Sequence, residues 1–342
     1  MVVLAIKQSG VSLGKTKEQF KLTFGGSNLP ISYVPAIKVD YIIADGKINI
    51  SYGALELIRE YTIPVIWPDY GKNGMLLQPM YAPGTVKLRE NQYLARLDER
   101  SGYIATQILH SNLQNKIALV KRVLRNTRVD SCQEILGEME EFYLDSRASI
   151  DNLAHTQIGY SERNELMNIE GLLSSMYFQF IDIVSQQFEW KFDHRSRRPA
   201  ENAFNALLNY GYAILEGNIH RHLFCQGFDP YAGFLHADRA GRMSLSLDLI
   251  EPFRQRIDEV ILKQIISGKL HEDCVDETEG ELRITPEAKS LFIKSIILNW
   301  RDSRQKRSLD KEIVRSMRSI HSFLIGTSSD ISLYSRKVKD PW

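Results

Sequence analysis

The chain has few cysteines, no long apolar run and almost no net charge. Its 342 residues include three cysteines, and none of them belongs to a C-x-x-C pair. This usage is typical of a reduced intracellular protein and argues against a disulfide framework or a zinc cluster. Nowhere do about 18 apolar residues follow one another, so the sequence predicts no membrane span. The start, MVVLAIKQSG, lacks the cleavage pattern of a signal peptide, and we expect a cytoplasmic protein.

The charge balance excludes a strongly basic protein. Lys and Arg number 43 against 42 Asp and Glu, which gives a formal net charge of +1. A nucleic-acid partner would therefore require positive charge that is gathered locally. Hydrophobic residues make up 43% of the sequence, which at this length is enough for one or two domains with a sizeable core.

The sequence changes character near residue 85. Before that point, short runs rich in β-branched residues alternate with Gly and Pro. They predict a short helix at 52–61 and strands at 2–6, 19–24, 31–34, 41–44, 48–50 and 63–67. Asp45-Gly46 predicts a two-residue hairpin between the fourth and fifth of these strands. Pro and Gly crowd 68–84, which predicts loop and linker.

From Leu88 onward the pattern has helical periodicity. Helices are predicted at 91–125, 132–155, 162–190, 202–222, 246–267 and 286–307, and Pro252 should kink or end the first part of the fifth. Strands followed by helices predict the α+β class. We expect a small β-rich domain at 1–85 and a larger all-α domain at 86–342.

One carboxylate lies where the clearest helical stripe predicts a core. Apolar residues recur every three or four positions along 166–184, and Glu170 falls on that stripe between Leu166 and Leu173. Because an unpaired charge there is costly, Glu170 must pair with a cation, bind a metal or lie beside a cleft. On the residues alone, a salt bridge at the edge of the stripe is the simplest interpretation.

A histidine and two more carboxylates follow further along the chain. His236 ends a compact loop, and Asp248 and Glu251 come next on a predicted helix, where a spacing of three places both on one face. With Glu170 they could form a mixed nitrogen and oxygen site for a divalent cation. The alternatives are a hydrogen-bonded core histidine, solvent-facing carboxylates paired with nearby arginines, and three competing histidines, His194, His220 and His222.

Long motifs in this region resemble those of the CRISPR-associated integrases. They are RSRRP at 195–199, NALLNYGYAIL at 205–215, GFDPYAGFLH at 227–236 and SLDLIEPFR at 246–254, with IEG at 169–171 upstream. Their order and spacing agree with the family, as does the β-then-α layout. One departure follows the arginine motif, where Ala200 and Glu201 stand in place of the proline and aspartate common in relatives.

The resemblance implies a metal-dependent DNA endonuclease and integrase that joins the 3′-hydroxyl ends of spacer DNA to a CRISPR repeat. By the same resemblance, Glu170, His236 and Glu251 would bind Mg²⁺ or Mn²⁺, and Glu251 stands where many relatives have aspartate. Asp248 would bind the ion directly, bind it through water or support a ligand. The family's partners are DNA, a second copy of the subunit and a small ferredoxin-like companion subunit. The β-rich domain is the candidate dimerisation surface.

Positive charge is gathered around the proposed ligands. Such residues would neutralise the DNA backbone and give a salt-sensitive affinity that does not depend on sequence. The candidates are Lys191, Arg195, Arg197, Arg198, Arg239, Arg242 and Arg254.

Two other functions are compatible with the same fold. A structure-selective DNA repair nuclease would use the same metal site, so the residues near the site do not separate it from an integrase. A non-catalytic DNA-binding scaffold should lack one or more ligands. Glu170, His236 and Glu251 are all present, which argues against a non-catalytic scaffold.

Overall fold

Strands dominate the beginning of the chain and helices dominate the rest. The computed structural model describes residues 3–7, 9–25, 31–68, 74–78, 86–127, 129, 132–197, 199–278, 280–300 and 308–336. The strands are β1 (Val3–Ile6), β2 (Val11–Thr16), β3 (Gln19–Phe24), β4 (Ser32–Pro35), β5 (Tyr41–Ala44), β6 (Ile48–Ile50), β7 (Val65–Trp67), β8 (Met75–Leu77), β9 (Val275–Thr278) and β10 (Glu281–Ile284). The helices are α1 (Tyr52–Glu60), α2 (Val86–Ala95), α3 (Arg100–Asn126), α4 (Gln133–Leu153), α5 (Tyr160–Gln187), α6 (Ala203–Gln226), α7 (Ser244–Ile250), α8 (Gln255–Ile266), α9 (Pro286–Trp300) and α10 (Leu309–Leu324).

The N-terminal strands form two small sheets, and their order separates β5 from β6. In the first sheet β1, β5 and β7 are parallel, and β8 pairs antiparallel with β7. In the second sheet β4, β3 and β2 form an antiparallel meander, and β6 lies parallel to β2. The hairpin predicted at Asp45-Gly46 is therefore wrong. All four residues of β5 are buried, and burial between two parallel neighbours outweighs the local turn preference.

Strand β5 contributes to two cores because its side chains alternate between the faces of the sheet. Tyr41 and Ile43 belong to the large core of the helical part. Ile42 and Ala44 belong to the smaller core of the β-rich part. The sheet of β1, β5, β7 and β8 therefore lies between the two cores, and β5 contributes side chains to both of them.

Close contacts join the β-rich part to the helices. Gly217 lets α6 approach the sheet, since a Cβ at that position would lie 2.6 Å from Ile66 Cγ2. Beside this contact, the Tyr210 hydroxyl donates to Asp45 Oδ2 at 2.9 Å, and Lys289 Nζ lies 3.0 Å from the same oxygen. Buried packing and a buried carboxylate thus fix the position of α6.

The helical part confirms the predicted pattern with some differences. The segment predicted at 91–125 is two helices, α2 and α3, while α10 and the antiparallel β9–β10 hairpin were not predicted. This part is therefore mostly helical rather than all-α. As predicted, Pro252 ends α7, and a 3-10 turn at Glu251–Phe253 leads into α8. The predicted boundary at residue 85 and the end of the helix predicted at 286–307 lie outside the described residues.

In the part of the chain that is described, no helix combines the length and apolarity needed to cross a bilayer. Cys132, Cys225 and Cys274 all lie in that part, and no disulfide joins them.

Candidate metal and DNA site

Glu170 lies at the edge of the buried face of α5. Leu166, Ile169 and Leu173 are buried on the same helix, whereas the Glu170 side chain keeps 19% of its exposure. Its Oε1 accepts a hydrogen bond from Lys116 Nζ at 2.8 Å. The salt bridge suggested by the helical stripe is therefore present, and its cation comes from α3.

Three side chains converge on the same oxygen of Glu170. Besides Lys116, the Ser174 hydroxyl donates to Oε1 at 2.6 Å, and the Asn112 amide donates at 3.4 Å. Burial by itself would raise the pKa of Glu170. The charge and hydrogen bond of Lys116, with Ser174 and the Arg254 charge, reverse this effect and lower the pKa to about 2. Glu170 is therefore ionised at neutral pH, as an oxygen ligand must be.

Asp248 holds the histidine loop. It is fully buried on α7, and its two oxygens accept backbone N–H groups from Phe234 at 2.6 Å, Leu235 at 3.0 Å and His236 at 2.8 Å. A Cβ at Gly233 would lie 2.9 Å from Asp248 Oδ2, so the loop can approach this closely only with glycine there. Asp248 thus fixes the loop backbone through three separate bonds.

The same carboxylate sets the tautomer of His236. His236 Nδ1 lies 2.8 Å from Asp248 Oδ1. Because an ionised carboxylate only accepts hydrogen bonds, the ring proton must be on Nδ1 in the neutral imidazole. Nε2 then keeps its lone pair, which is the form that a metal ligand needs. The geometry favours Asp248 as the residue that orients His236.

Glu251 faces His236 from the 3-10 turn. Its Oε1 lies 4.0 Å from His236 Nε2 and 3.1 Å from Arg254 Nη2. Asn112 Nδ2 donates to its Oε2 at 3.2 Å and also reaches Glu170, so one amide connects the two carboxylates. The structure therefore brings Glu170, His236 and Glu251 into one neighbourhood.

Protein cations lie beside both glutamates of the predicted ligand set. Lys116 pairs with Glu170, and Arg254 pairs with Glu251. Across the described ranges, no three His, Cys, Asp or Glu side chains are grouped closely enough to hold an ion as they stand. The donor chemistry, one imidazole nitrogen and two ionisable carboxyl groups, suits Mn²⁺ or Mg²⁺. The residues fit such an ion chemically, and the metal itself stays a prediction.

The competing histidines are engaged elsewhere. His194 is exposed at the surface. His222 Nε2 lies 3.8 Å from Asp310, and His220 Nδ1 lies 3.5 Å from the Ser246 hydroxyl. These positions leave His236 as the histidine beside the two glutamates.

Several of the predicted DNA-binding residues are accessible to solvent. Lys191, Arg197 and Arg239 are exposed, and Arg242 is half-buried. Burial lowers the pKa of Arg242, and the positive charges of Arg239 and Arg197 lower it further, because these cations lie near one another. Arg198 lies outside the described residues.

Two other predicted DNA contacts are engaged within the protein. Arg254 and Arg195 both lie over the ring of Tyr212, with guanidinium carbons 5.2 and 5.5 Å from its centroid. Arg195 also donates to Asn205 at 3.0 Å, and burial lowers its pKa to about 10. These contacts favour the exposed cations as the DNA-binding ones.

Buried polar residues of α3 that reach the site were not predicted from the sequence. Asn112 and Lys116 are buried on α3, and Asn115 is buried beside them. Positions 112, 115 and 116 follow a spacing of three and four residues, which places them on one helix face. Polar side chains on the buried face of a long helix are the signal that points to such residues.

Solved structures show which fold the chain has. A Cas1 protein from Thermotoga maritima has the same fold, with a TM-score of 0.77 and 23% identity over 98% of this chain and 100% of that one. A casposase bound to its integration product gives a TM-score of 0.82 and 18% identity, over 100% of this chain and 96% of that one. The chain therefore has the fold shared by Cas1 proteins and casposases.

The sequence comparisons identify the family. The family model for CRISPR associated protein Cas1 matches residues 4–297. CRISPR-associated endonuclease Cas1 1 of Archaeoglobus fulgidus is 30% identical over 300 residues, which cover 83% of this chain and 86% of that protein. The chain belongs to the Cas1 family of CRISPR-associated proteins, and the resemblance drawn from its motifs is confirmed.

Proposed function

We propose that this chain is a divalent-metal-dependent DNA enzyme that joins 3′-hydroxyl ends of spacer DNA to a CRISPR repeat and also cleaves DNA. The observation that carries the proposal is the position of His236, whose Nε2 lies 4.0 Å from Glu251 Oε1. The Asn112 amide donates to both Glu251 and Glu170 and so connects the two glutamates. In joining, the spacer 3′-hydroxyl attacks a phosphate of the repeat, so that one phosphodiester forms while another breaks and its 3′-hydroxyl leaves. In cleavage, water takes the place of the attacking hydroxyl, so the same site can serve both reactions. The residues that would hold the ion are Glu170, His236 and Glu251.

The chemistry follows from the charge of the substrate. An ion bound there would neutralise the scissile phosphate, which otherwise repels an attacking oxygen. The chain supplies the rest of the arrangement. Asp248 keeps the proton of His236 on Nδ1, Asn112 donates to the two glutamates, and the exposed arginines would bind the DNA backbone. No protein side chain is needed as the nucleophile.

The proposed partners are DNA, a second copy of the chain and a small ferredoxin-like companion subunit, all in the cytoplasm. One solved relative of the fold is part of a Cas6-RT-Cas1–Cas2 complex, with a TM-score of 0.79 and 18% identity over 98% of this chain and 36% of that one. Exposed apolar residues on the β-rich part, such as Tyr33, Ile37 and Tyr52, support dimerisation there.

The first test is a strand-transfer assay on the intact protein. A labelled duplex with free 3′-hydroxyl ends is mixed with a plasmid that carries a CRISPR repeat, with Mn²⁺ or with EDTA. We expect joined and cleaved products with Mn²⁺, their loss in EDTA and their return when excess Mn²⁺ is added. Products that persist in EDTA would contradict the metal-dependent mechanism. Cleavage without any joining would favour the repair nuclease.

The site should also respond to pH. Burial lowers the pKa of His236, but the hydrogen bond and charge of Asp248 and the charge of Glu251 outweigh burial and raise the pKa above its ordinary value. A proton on Nε2 competes with the ion, so Mn²⁺ affinity should fall as pH drops through that raised pKa, by up to about tenfold per pH unit. Calorimetric titrations between pH 5.5 and 8.5 measure this, and a flat affinity would exclude His236 as a ligand.

A further inference from the structure

Lys116 is placed where a bound metal ion would compete with it. Its ammonium group donates to Glu170 Oε1 at 2.8 Å and also to the Ser174 hydroxyl. The Lys116 side chain is 7% exposed, so it has lost nearly all of its water. Its position therefore depends on the carboxylate that it neutralises.

Glu170 cannot favourably hold Lys116 and a divalent metal ion on the same oxygen, because the two cations repel each other. Mg²⁺ approaches its oxygen ligands to about 2.0–2.1 Å. The ammonium group of Lys116 would then face two positive charges across a shared oxygen in a largely enclosed site, where such repulsion is screened weakly. Either the ion or the ammonium group must leave that oxygen.

The two cations of the site differ in their freedom to move. Both cations have an ion pair and a ring contact: Arg254 pairs with Glu251 and lies over the Tyr212 ring at 5.2 Å, and Lys116 pairs with Glu170 and lies over the Tyr177 ring at 5.9 Å. Only Arg254 presents a rigid planar group. Lys116 carries its charge on a flexible four-carbon stem whose three donors can turn to a new partner. Lys116 is therefore the cation that can be exchanged.

We propose that Lys116 is an internal counter-cation that the metal ion displaces from Glu170, after which its ammonium group contacts a phosphate of the bound DNA. This inference rests on the proposed function. Before metal binds, Lys116 lies 2.8 Å from Glu170 Oε1 and balances its charge, which prevents an uncompensated buried carboxylate. After metal binds, the positive charge remains close to the site and adds to phosphate binding.

The test replaces Lys116 with a side chain of similar length that has no charge. Lys116→Met should bind Mn²⁺ about tenfold more tightly than the wild type in calorimetric titrations, since the competing cation is gone. Without metal its Tm should be lower, and the rise in Tm on adding Mn²⁺ should be larger. At saturating Mn²⁺, strand joining should be slower by about tenfold because a phosphate contact is lost.

Two control variants separate charge from packing. Ser174→Ala removes a hydrogen bond to the same oxygen without changing charge, and its Mn²⁺ affinity should stay near the wild-type value. Lys116→Arg keeps the charge and should also bind Mn²⁺ like the wild type. If Lys116→Met does not fold, tighter binding by Lys116→Gln tests the same point.

The outcomes distinguish this inference from the proposed function. If the wild type binds no Mn²⁺ and its Tm does not respond, the metal site itself is wrong. If the wild type binds Mn²⁺ but Lys116→Met binds it equally or more weakly, only the counter-cation inference is overturned. An effect of Ser174→Ala as large as that of Lys116→Met would overturn it as well.

Discussion

His236→Ala is expected to abolish metal-dependent joining and cleavage while the protein remains folded and binds DNA. The imidazole is the one nitrogen donor of the proposed ligand set, and Asp248 holds its ring with Nε2 4.0 Å from Glu251 Oε1. A bound ion contributes several kcal/mol to the transition state, and about 1.4 kcal/mol corresponds to a tenfold change in rate. We therefore expect a loss of about 10³-fold or more in single-turnover assays with labelled DNA and Mn²⁺.

The matched control is an exposed histidine outside the site. His155 lies just after the end of α4 and is exposed, so His155→Ala should react at the wild-type rate. Circular dichroism and fluorescence anisotropy with DNA, measured on both variants, separate lost chemistry from lost folding or lost binding. A His236→Ala protein that joined DNA near the wild-type rate would mean that the ligands must be sought elsewhere.

The principal site residues were predicted through the resemblance of the long motifs, whereas the local patterns only marked some of them as unusual and left structural alternatives open. Glu170 breaks an apolar stripe, and Glu251 lies beside a proline that ends a helix. The roles of their neighbours could not be predicted in the same way. Lys116 and Asn112 reach the site only because α3 packs beside α5 and the 3-10 turn. Such contacts depend on how helices pack, which the pattern within one helix does not contain.

The β-rich part shows the same limit for strands. Local composition predicted β3, β5 and β6, but β2 was missed because Gly14 and Lys15 dilute its alternating pattern. The partner of β6 is β2 rather than β5, since the chain crosses between sheets after Asp45. Strand pairing is decided by burial of faces that come from distant segments. The predicted positions of the strands along the chain were therefore more reliable than the predicted pairing between strands.

Glu259→Gln is expected to lower the free energy of unfolding by about 3–5 kcal/mol. Glu259 is almost completely buried on α8. Its Oε1 lies 2.7 Å from Lys263, 2.9 Å from Arg122 and 3.1 Å from Arg336, and its Oε2 lies 3.5 Å from Arg256. An amide of the same shape cannot neutralise these cations, so they would repel one another in a poorly hydrated interior. Equilibrium unfolding in urea measures the change.

The control for this prediction is Glu138→Gln, because Glu138 is exposed on α4 and its substitution should change the stability by less than about 0.5 kcal/mol. Glu259→Gln should also weaken metal binding. Arg336 lies two residues after Tyr334, which stacks on Phe253 at 5.0 Å, and Phe253 belongs to the 3-10 turn that carries Glu251. Freeing the segment from Tyr334 to Arg336 should therefore weaken Mn²⁺ binding as well as stability. If Glu259→Gln were as stable as the control, the cations would be neutralised by other groups, and that segment would not depend on Glu259.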